Sequence, residues 1–259
     1  MKKLLAAGFV FSALAGPAVA ADMAVKAPRV APVAYSWTGC YVGGGAGGAW
    51  AKSDWTYRNF NPYDSPGPGG PFFATGENFD MTSWVAGVQG GCNYEFQNRF
   101  VVGIEASWTG ADLNDTHPGA AQVFNPIAFQ NVSTRIRQYY TVTGRLGYSF
   151  TPNWLGYVKG GFASARIETA GTTFPPVGAL LLDWNTADWH NGWVVGVGGE
   201  YRITKYFSLG LEYNYLRFDT KDHVGAVSGG AIGPANQVVH GVNADIHTVM
   251  ARANFLFGP

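Results

Sequence analysis

Residues 192–218 read GWVVGVGGEYRITKYFSLGLEYNYLRF, and each half of this stretch alternates between two kinds of side chain. In the first half, one parity carries large apolar residues, whereas the other is mostly glycine and ends in Glu200. The second half repeats the alternation, with Glu212 on its small and polar parity. A period of two residues predicts two β-strands joined by a tight turn. An apolar face opposite a small, charged face is typical of a membrane barrel, with lipid outside and a narrow polar lumen inside.

The first twenty residues have the pattern of a secretory signal peptide. Lys2 and Lys3 precede an apolar run over residues 4–15, and residues 18–20 (AVA) form a small-residue cleavage site. A membrane anchor is the alternative, but the run is too short for a helix to cross about 30 Å of hydrocarbon. We therefore predict a cleaved signal peptide over residues 1–20, a Pro/Ala-rich periplasmic leader over residues 21–36 and a barrel domain over residues 37–259.

The composition favours an all-β membrane protein and argues against nucleic-acid binding. Glycine accounts for 36 of the 259 residues, which is about twice its usual share, and glycine disfavours helices. Basic and acidic residues number 17 each, so a formal net charge of zero gives no electrostatic case for nucleic acid. After the N-terminal run, no segment has the roughly 20 apolar residues that a membrane helix needs.

Alternation of the same kind recurs along the rest of the chain. The other predicted strands cover residues 37–50, 83–97, 100–109, 132–150, 155–166 and 244–257. Long connections, which have loop composition, alternate with short turns and cover residues 52–80, 110–131, 167–191 and 219–243. We therefore predict an all-β, eight-stranded antiparallel up-and-down transmembrane β-barrel with four long external loops. Closure is expected because lipid offers no partner to an unpaired strand edge.

Outward aromatic residues collect near the short turns, which are the periplasmic end of such a barrel. They are typical of the girdle that marks a membrane interface. The predicted periplasmic girdle consists of Tyr94, Phe96, Phe150, Tyr201, Phe207, Phe255 and Phe257.

Charged residues of both signs fall on the inward parity. The predicted lumen network consists of Glu95, Glu105, Glu200 and Glu212 against Arg135, Arg137, Arg145, Lys159 and Arg252. An isolated charge in a narrow lumen is costly, so we expect ion pairs that plug the barrel. An ion path is the alternative, although an eight-stranded interior is only wide enough for its own side chains. The preferred pairs, on adjacent strands, are Glu105 with Arg145 and Glu212 with Arg252.

Two cysteines and five histidines are the candidates for a disulfide bond and for metal or haem ligation. Cys40 and Cys92 share a parity on neighbouring strands, and the alternatives are a disulfide, which the oxidising periplasm permits, or two lipid-facing thiols. The histidines lie mainly in predicted loops without metal-ligand spacing, and they are His117, His190, His223, His240 and His247. We expect solvated histidines and predict no cofactor and no metal, with a haem-like ligand beside Trp184 and Trp189 as the alternative.

Several short segments together carry a family likeness. These are WTGCYVGG at residues 37–44, GYSF at 147–150, GGEY at 198–201, LEY at 211–213 and HTVMARANF at 247–255. They resemble segments of the Omp25/Omp31-type outer-membrane proteins of alphaproteobacteria. The resemblance covers nearly the whole chain. It implies an OmpA-like eight-stranded barrel that is abundant and surface exposed, with antigenic loops and, in some members, porin or haem-binding proposals.

The leading functional hypothesis is a non-enzymatic integral outer-membrane protein that contributes to envelope integrity. The lipid A deacylases, which are also eight-stranded, need a His-x-Ser pair facing lipid, and no histidine here has serine two positions later. A narrow porin for ions or small solutes is one alternative, and haem-like ligand binding or adhesion through the loops is another. The expected partners are outer-membrane lipid, lipopolysaccharide, the barrel-assembly machinery and host or surface ligands of the loops.

Overall fold

The fold is an eight-stranded sheet that closes on itself. The computed structural model describes residues 35–61, 76–118, 129–174, 182–226 and 237–258, so the predicted signal peptide and most of the leader lie outside the described residues. The strands are β1 (Gly39–Asn61), β2 (Gly76–Glu95), β3 (Phe100–Pro118), β4 (Phe129–Thr151), β5 (Trp154–Phe174), β6 (Leu182–Thr204), β7 (Phe207–Ala226) and β8 (Gln237–Phe257). Among these residues, no helix has the length and hydropathy needed to cross a membrane.

Each strand pairs antiparallel with its neighbours in the chain, and β1 closes the ring by pairing with β8. Cys40 lies opposite Phe257 at one end of the closing seam, and the pairing continues to Asn61 opposite Gln237 at the other end. Short turns join β2 to β3, β4 to β5 and β6 to β7, and they all lie at one end of the barrel. The predicted up-and-down barrel of eight strands is therefore confirmed.

The strands are longer than the sequence pattern predicts. Each has 19 to 23 residues, whereas the strands predicted from the alternation have about 10 to 15 residues, with 19 at residues 132–150. The loops predicted at residues 52–80, 110–131, 167–191 and 219–243 are therefore wrong over much of their length. The alternation continues into them with small or apolar inward residues, as Ala51, Ser53 and Trp55 of β1 illustrate by being buried. The barrel wall consequently extends beyond the lipid on its external side.

The outer surface has an apolar band of the height that a bilayer requires. Outward apolar residues span positions 42–50 on β1 and 140–150 on β4, close to the roughly 9 to 11 residues of a tilted crossing. The structure places all seven predicted girdle residues on the outer surface beside the short turns. Exposed aromatics also mark the external edge of the band, and they include Trp50, Trp84, Trp108, Tyr140 and Trp193.

Exposed ion pairs lie just beyond this external edge. The pairs are Lys52–Asp80, Arg135–Asp112, Arg137–Glu168, Arg166–Glu168, Lys221–Asp188 and Arg217–Asp245. Charges of this kind are stable in water and costly in hydrocarbon. The parts of the strands beyond these pairs are therefore outside the lipid.

Inward side chains fill the barrel in three layers. Nearest the short turns is a small apolar cluster that includes Trp37, Val101, Leu155 and Leu256. A polar layer follows at membrane depth, and above it lies an apolar upper core of buried residues from every strand, which includes Val85, Ile136, Val194, Leu216 and Ile246. An eight-stranded barrel has room for side chains only, and these layers occupy that room.

Glycine permits close approach at the seam between β1 and β8. A Cβ atom added to Gly47 would lie 1.9 Å from the carbonyl oxygen of Val249, whereas one added to the adjacent Gly48 would meet nothing within 4 Å. Gly47 lies on the inward parity of β1 and Gly48 on the outward parity. The inward glycine is therefore a packing requirement, since no side chain fits at that point.

Candidate functional site

Six charged residues form a single layer across the lumen. Consecutive strands β3 to β8 contribute one residue each, in the order Glu105, Arg145, Lys159, Glu200, Glu212 and Arg252. All six are at most 7% exposed, so they are almost completely buried. Three carboxylates face three cations, and this charge layer is therefore formally neutral.

Glu105 is at the centre of the charge layer. Its Oε1 atom is 3.0 Å from Lys159 Nζ, and its Oε2 atom accepts a hydrogen bond of 2.6 Å from the Tyr41 hydroxyl. Arg252 donates to both carboxylate oxygens, and Arg145 Nη1 lies 3.7 Å from Oε2. One carboxylate thus contacts all three cations of the layer.

The other two carboxylates complete the network. Glu212 accepts hydrogen bonds from Lys159 at 2.7 Å and from the Tyr157 hydroxyl at 2.7 Å, and it also pairs with Arg252. Glu200 accepts a hydrogen bond of 2.6 Å from Arg145 Nη2. Both carboxylates therefore have charged partners, as buried charges require.

Aromatic residues support the arginines of the layer. The guanidinium carbon of Arg145 lies 3.8 Å from the ring centroid of Tyr157, a cation–π geometry. The same guanidinium donates a hydrogen bond of 2.5 Å to the Tyr41 hydroxyl. Tyr41 and Tyr157 were not among the predicted site residues, although their inward parity in the sequence is a usable signal.

Little space remains beside the charge layer. The cavity there measures about 20 Å³ and is lined by residues that include Gln89, Glu105, Thr141 and Met250. Such a volume holds about one water molecule. The layer can therefore neutralise and fill the lumen, but at this depth it leaves no room for a solute.

The chain matches a known family of outer-membrane barrels. The family model for the outer membrane protein beta-barrel domain matches residues 11–255. The chain belongs to this family. The 31 kDa outer-membrane immunogenic proteins of Brucella melitensis and Brucella suis are each 32% identical to the barrel over 212 residues, which are 82% of this chain and 83% of theirs. The predicted resemblance to Omp25/Omp31-type proteins is confirmed.

One solved structure with a similar outline is the outer membrane protease OmpT of Escherichia coli. It is 10% identical to this outer-membrane barrel, with a TM-score of 0.49, over 87% of this chain and 99% of OmpT. Membership of the outer-membrane family supports an outer-membrane location for the chain. Cleavage of the signal peptide stays a prediction.

The structure brings together six of the nine predicted lumen charges. Both preferred pairs are present in the outer-membrane barrel, since Glu105 contacts Arg145 and Glu212 contacts Arg252. Lys159 links the two pairs by contacting both Glu105 and Glu212. The result is a connected network across the lumen, where separate pairs between adjacent strands were expected.

The assignment of Arg135 and Arg137 to the lumen is wrong. A β-bulge shifts the pairing of β4 with β5 between Ile136 and Gln138, and it reverses the parity of the external half of β4. Ile136 consequently points inward with 0% exposure. Arg135 instead pairs on the outer surface with Asp112 at 2.5 Å, and Arg137 pairs there with Glu168 at 2.8 Å.

Glu95 lies apart from the charge layer, at the periplasmic mouth. It is partly exposed, and its Oε2 atom accepts a hydrogen bond of 2.7 Å from the backbone amide of Trp37. The Thr38 hydroxyl in turn accepts a hydrogen bond of 3.0 Å from the backbone amide of Glu95. Glu95 therefore attaches the segment before β1 to the end of β2.

The two cysteines are joined in the structure. Cys40 and Cys92 lie directly opposite each other in the register of β1 and β2, and their sulfur atoms are 2.02 Å apart. The bond is on the lipid-facing parity near the short turns, so it crosslinks the first two strands from outside the lumen.

The expectation of solvated loop histidines is wrong for three of the five. His190, His223 and His240 are at most 1% exposed and point into the external extension of the barrel. They lie on strands because the barrel wall continues through the predicted loops. His247 faces outward and stacks on Trp50 with ring centroids 5.5 Å apart, and His117 is partly exposed on β3.

Proposed function

We propose that this chain is a non-enzymatic, non-conducting integral outer-membrane barrel that reinforces the envelope and displays its external loops to the surroundings. The observation that carries the proposal is the neutral charge layer, with the apolar upper core directly above it. The relatives named as outer-membrane immunogenic proteins support surface display. Outer-membrane lipid and lipopolysaccharide are its proposed surroundings, and the barrel-assembly machinery is its proposed partner during insertion.

Two obstacles in series oppose ion flow through the lumen. An ion crossing the charge layer would have to separate Glu105 from cations that it contacts at hydrogen-bond distance. Removing one partner from a buried pair costs about 3–5 kcal/mol, because the other charge stays buried without compensation. Above the layer, the ion would next meet buried apolar side chains such as Ile136 and Leu216. The arrangement therefore favours a structural plug over a narrow porin.

The same arrangement argues against an enzyme in the lumen. A catalytic carboxylate has to be reachable by substrate and within about 3 Å of the proton that it moves. Glu105, Glu200 and Glu212 are each at most 4% exposed and are bonded to cations of their own layer. Within the described part of the chain, these carboxylates are paired with the cations of the charge layer and are not accessible to a substrate.

Single-channel recording in planar lipid bilayers tests the proposal. We expect purified, folded wild-type barrel to give no reproducible open steps, while a large-pore barrel inserted in the same membranes conducts. The variant Arg252→Ala removes a cation from the layer, whereas Arg137→Ala removes one from the outer surface and is its matched control. Brief, irregular openings only in Arg252→Ala fit a plug. Uniform, long-lived steps from wild-type protein would contradict the plug and favour the narrow porin.

A further inference from the structure

Three histidines meet inside the barrel extension, above the lipid. His190 of β6, His223 of β7 and His240 of β8 are 1%, 0% and 0% exposed. His190 lies beside the exposed Lys221–Asp188 ion pair, and His223 lies eight residues beyond Tyr215 on β7. Their level is therefore outside the apolar band, where the surrounding medium is water.

The histidines form one hydrogen-bonded chain with a threonine of β5. His190 Nδ1 is 3.2 Å from the backbone oxygen of Asp219, and His190 Nε2 is 2.6 Å from His223 Nε2. The Thr169 hydroxyl lies 3.2 Å from His223 Nδ1 and 3.1 Å from His240 Nε2. The chain thus connects four consecutive strands, β5 to β8.

The partners of this chain determine where each proton lies. A carbonyl oxygen only accepts, so His190 carries its proton on Nδ1 and accepts at Nε2. His223 must then donate from Nε2 and accept at Nδ1, which makes the Thr169 hydroxyl the donor to it. The hydroxyl oxygen in turn accepts from Nε2 of His240. All four contacts can form while the three imidazoles are neutral. Only this arrangement of protons allows it.

The same contacts do not have the geometry of a metal centre. Metal-bound imidazole nitrogens point their lone pairs at one ion, about 2.0–2.1 Å away. Here His190 and His223 point their Nε2 atoms at each other, and the second nitrogen of His223 contacts Thr169. No group of three or more ligating side chains suited to a metal ion occurs among the described residues.

The surroundings of the chain are aromatic on one side and weakly charged on the other. The rings of Trp55 and Trp184 pack on His240 with centroids 4.7 Å and 4.8 Å away. The charged groups nearest to the histidines are Asp188 of β6 and Lys221 and Asp222 of β7. On the same inner surface, β2 contributes the buried Glu77, while β1, β5 and β8 contribute Ser53, Ile167 and Val242.

Burial holds the three imidazoles in the neutral form. It lowers the pKa of His223 to about 4, with a further contribution from the neighbouring His190. It lowers the pKa of His240 to about 3, with a contribution from His223, and it also lowers the pKa of His190. The cause is the same in each case, since the charged imidazolium loses its hydration.

We propose that Thr169, His190, His223 and His240 form an acid-sensitive latch that holds β5 to β8 together above the lipid at neutral pH. Protonation at Nε2 of His190 would direct two N–H groups at each other across 2.6 Å. Acid therefore opens the external rim of these strands and leaves the membrane-spanning part closed. The latch is independent of whether the lumen conducts.

The direction of the pH effect follows from the lowered pKa values. Above the ordinary histidine pKa of about 6.5, closed and open rims both hold neutral imidazoles and the latch is intact. Below it, the open rim binds protons that the closed rim rejects, so opening becomes easier. For a histidine whose pKa is about 4 in the closed rim, the opening equilibrium rises roughly 70-fold between about pH 7.5 and about pH 4.5.

Hydrogen–deuterium exchange on the full barrel in lipid nanodiscs tests the latch. After correction for intrinsic exchange rates, we expect amides in residues 183–191, 219–226 and 239–243 to exchange at least about 50-fold faster at about pH 4.5 than at about pH 7.5. The membrane-spanning amides should stay protected. In His190→Gln/His223→Gln/His240→Gln the change should fall below about threefold, whereas the control His247→Gln should behave as wild type. Equal protection of the wild-type rim at both pH values, or equal acid opening in the triple variant, would overturn the proposal.

A second measurement on wild-type protein does not depend on the variants folding. Nitrogen-15 NMR of labelled histidine distinguishes the tautomers of neutral imidazole. At about pH 7.5 we expect the proton on Nδ1 of His190 and on Nε2 of both His223 and His240. A charged imidazolium at any of these three positions at that pH would refute the latch.

Discussion

The variant Glu105→Gln gives the sharpest test of how the charge layer stabilises the barrel. Glutamine keeps the shape of the side chain but removes the negative charge that contacts Arg252, Lys159 and Arg145. The layer then holds three cations against two carboxylates at membrane depth. Breaking a buried ion pair by removing one partner costs about 3–5 kcal/mol, and we expect a loss of this size in the free energy of unfolding.

The assay is urea unfolding of the barrel in thin phosphatidylcholine vesicles, followed by tryptophan fluorescence and by gel mobility without heating. Glu168→Gln is the matched control, because Glu168 pairs with Arg137 at 2.8 Å on the outer surface, where both side chains are partly exposed. Surface pairs contribute about 0–1 kcal/mol. A Glu105→Gln loss within about 1 kcal/mol of the control value would refute the assigned role of the layer.

Charge balance can be separated from contact loss by a double variant. Glu105→Gln with Lys159→Met leaves two carboxylates and two arginines, so the layer is neutral again. We expect this variant to be more stable than Glu105→Gln alone, because Lys159→Met removes the surplus cation, while Glu212 loses its contact with Lys159 but keeps Arg252 as its charged partner. If the two losses simply add, the layer acts through individual contacts and not through its net charge.

Two further predictions concern packing and crosslinking. Gly47→Ala should lower the free energy of unfolding by more than about 2 kcal/mol, because its Cβ atom would meet the Val249 carbonyl. The control Gly48→Ala should change it by less than about 0.5 kcal/mol. Equal urea midpoints for the two variants would contradict the assigned packing at the seam between β1 and β8. Replacing Cys40 and Cys92 by alanine opens a crosslink over 52 residues and should cost about 2–4 kcal/mol in unfolding while the lumen stays non-conducting. A double variant as stable as the wild type under oxidising conditions would show that the bond adds nothing.

The barrel and most of its charge layer could be predicted because both depend on local alternation. In residues 192–218, two faces of unlike composition are visible without any partner strand, and they assign Glu200 and Glu212 to the lumen. The same parity argument holds for Glu105, Lys159 and Arg252, because the pairing around them has no irregularity at their level. A period of two is sufficient wherever the strand is regular.

The bulges and the external extension could not be predicted from alternation. At Arg137 an extra residue reverses the parity of β4, and the matching shift on β3 lies between Gly110 and Leu113, with no composition that marks either place. The extension mixes inward apolar residues with many small and polar ones, and this composition resembles a loop when the sequence is read alone. The buried positions of His190 and His223 could therefore be recognised only from the strand pairing, which directs their side chains into the interior of the extended barrel.

The depth of each ionisable group in the barrel follows from the medium around it. At membrane depth the wall is surrounded by hydrocarbon, so Glu105 and Arg252 are stable there only as partners, and their mutual contact lies across the lumen. Above the lipid, the wall borders water, and a side chain that gains a proton can be hydrated as soon as the strands separate. His223 and His240 lie at that level, where neutrality is the condition for closure and a proton is enough to remove it. In the proposed scheme, the plug at membrane depth is therefore permanent, whereas the latch above it depends on protonation.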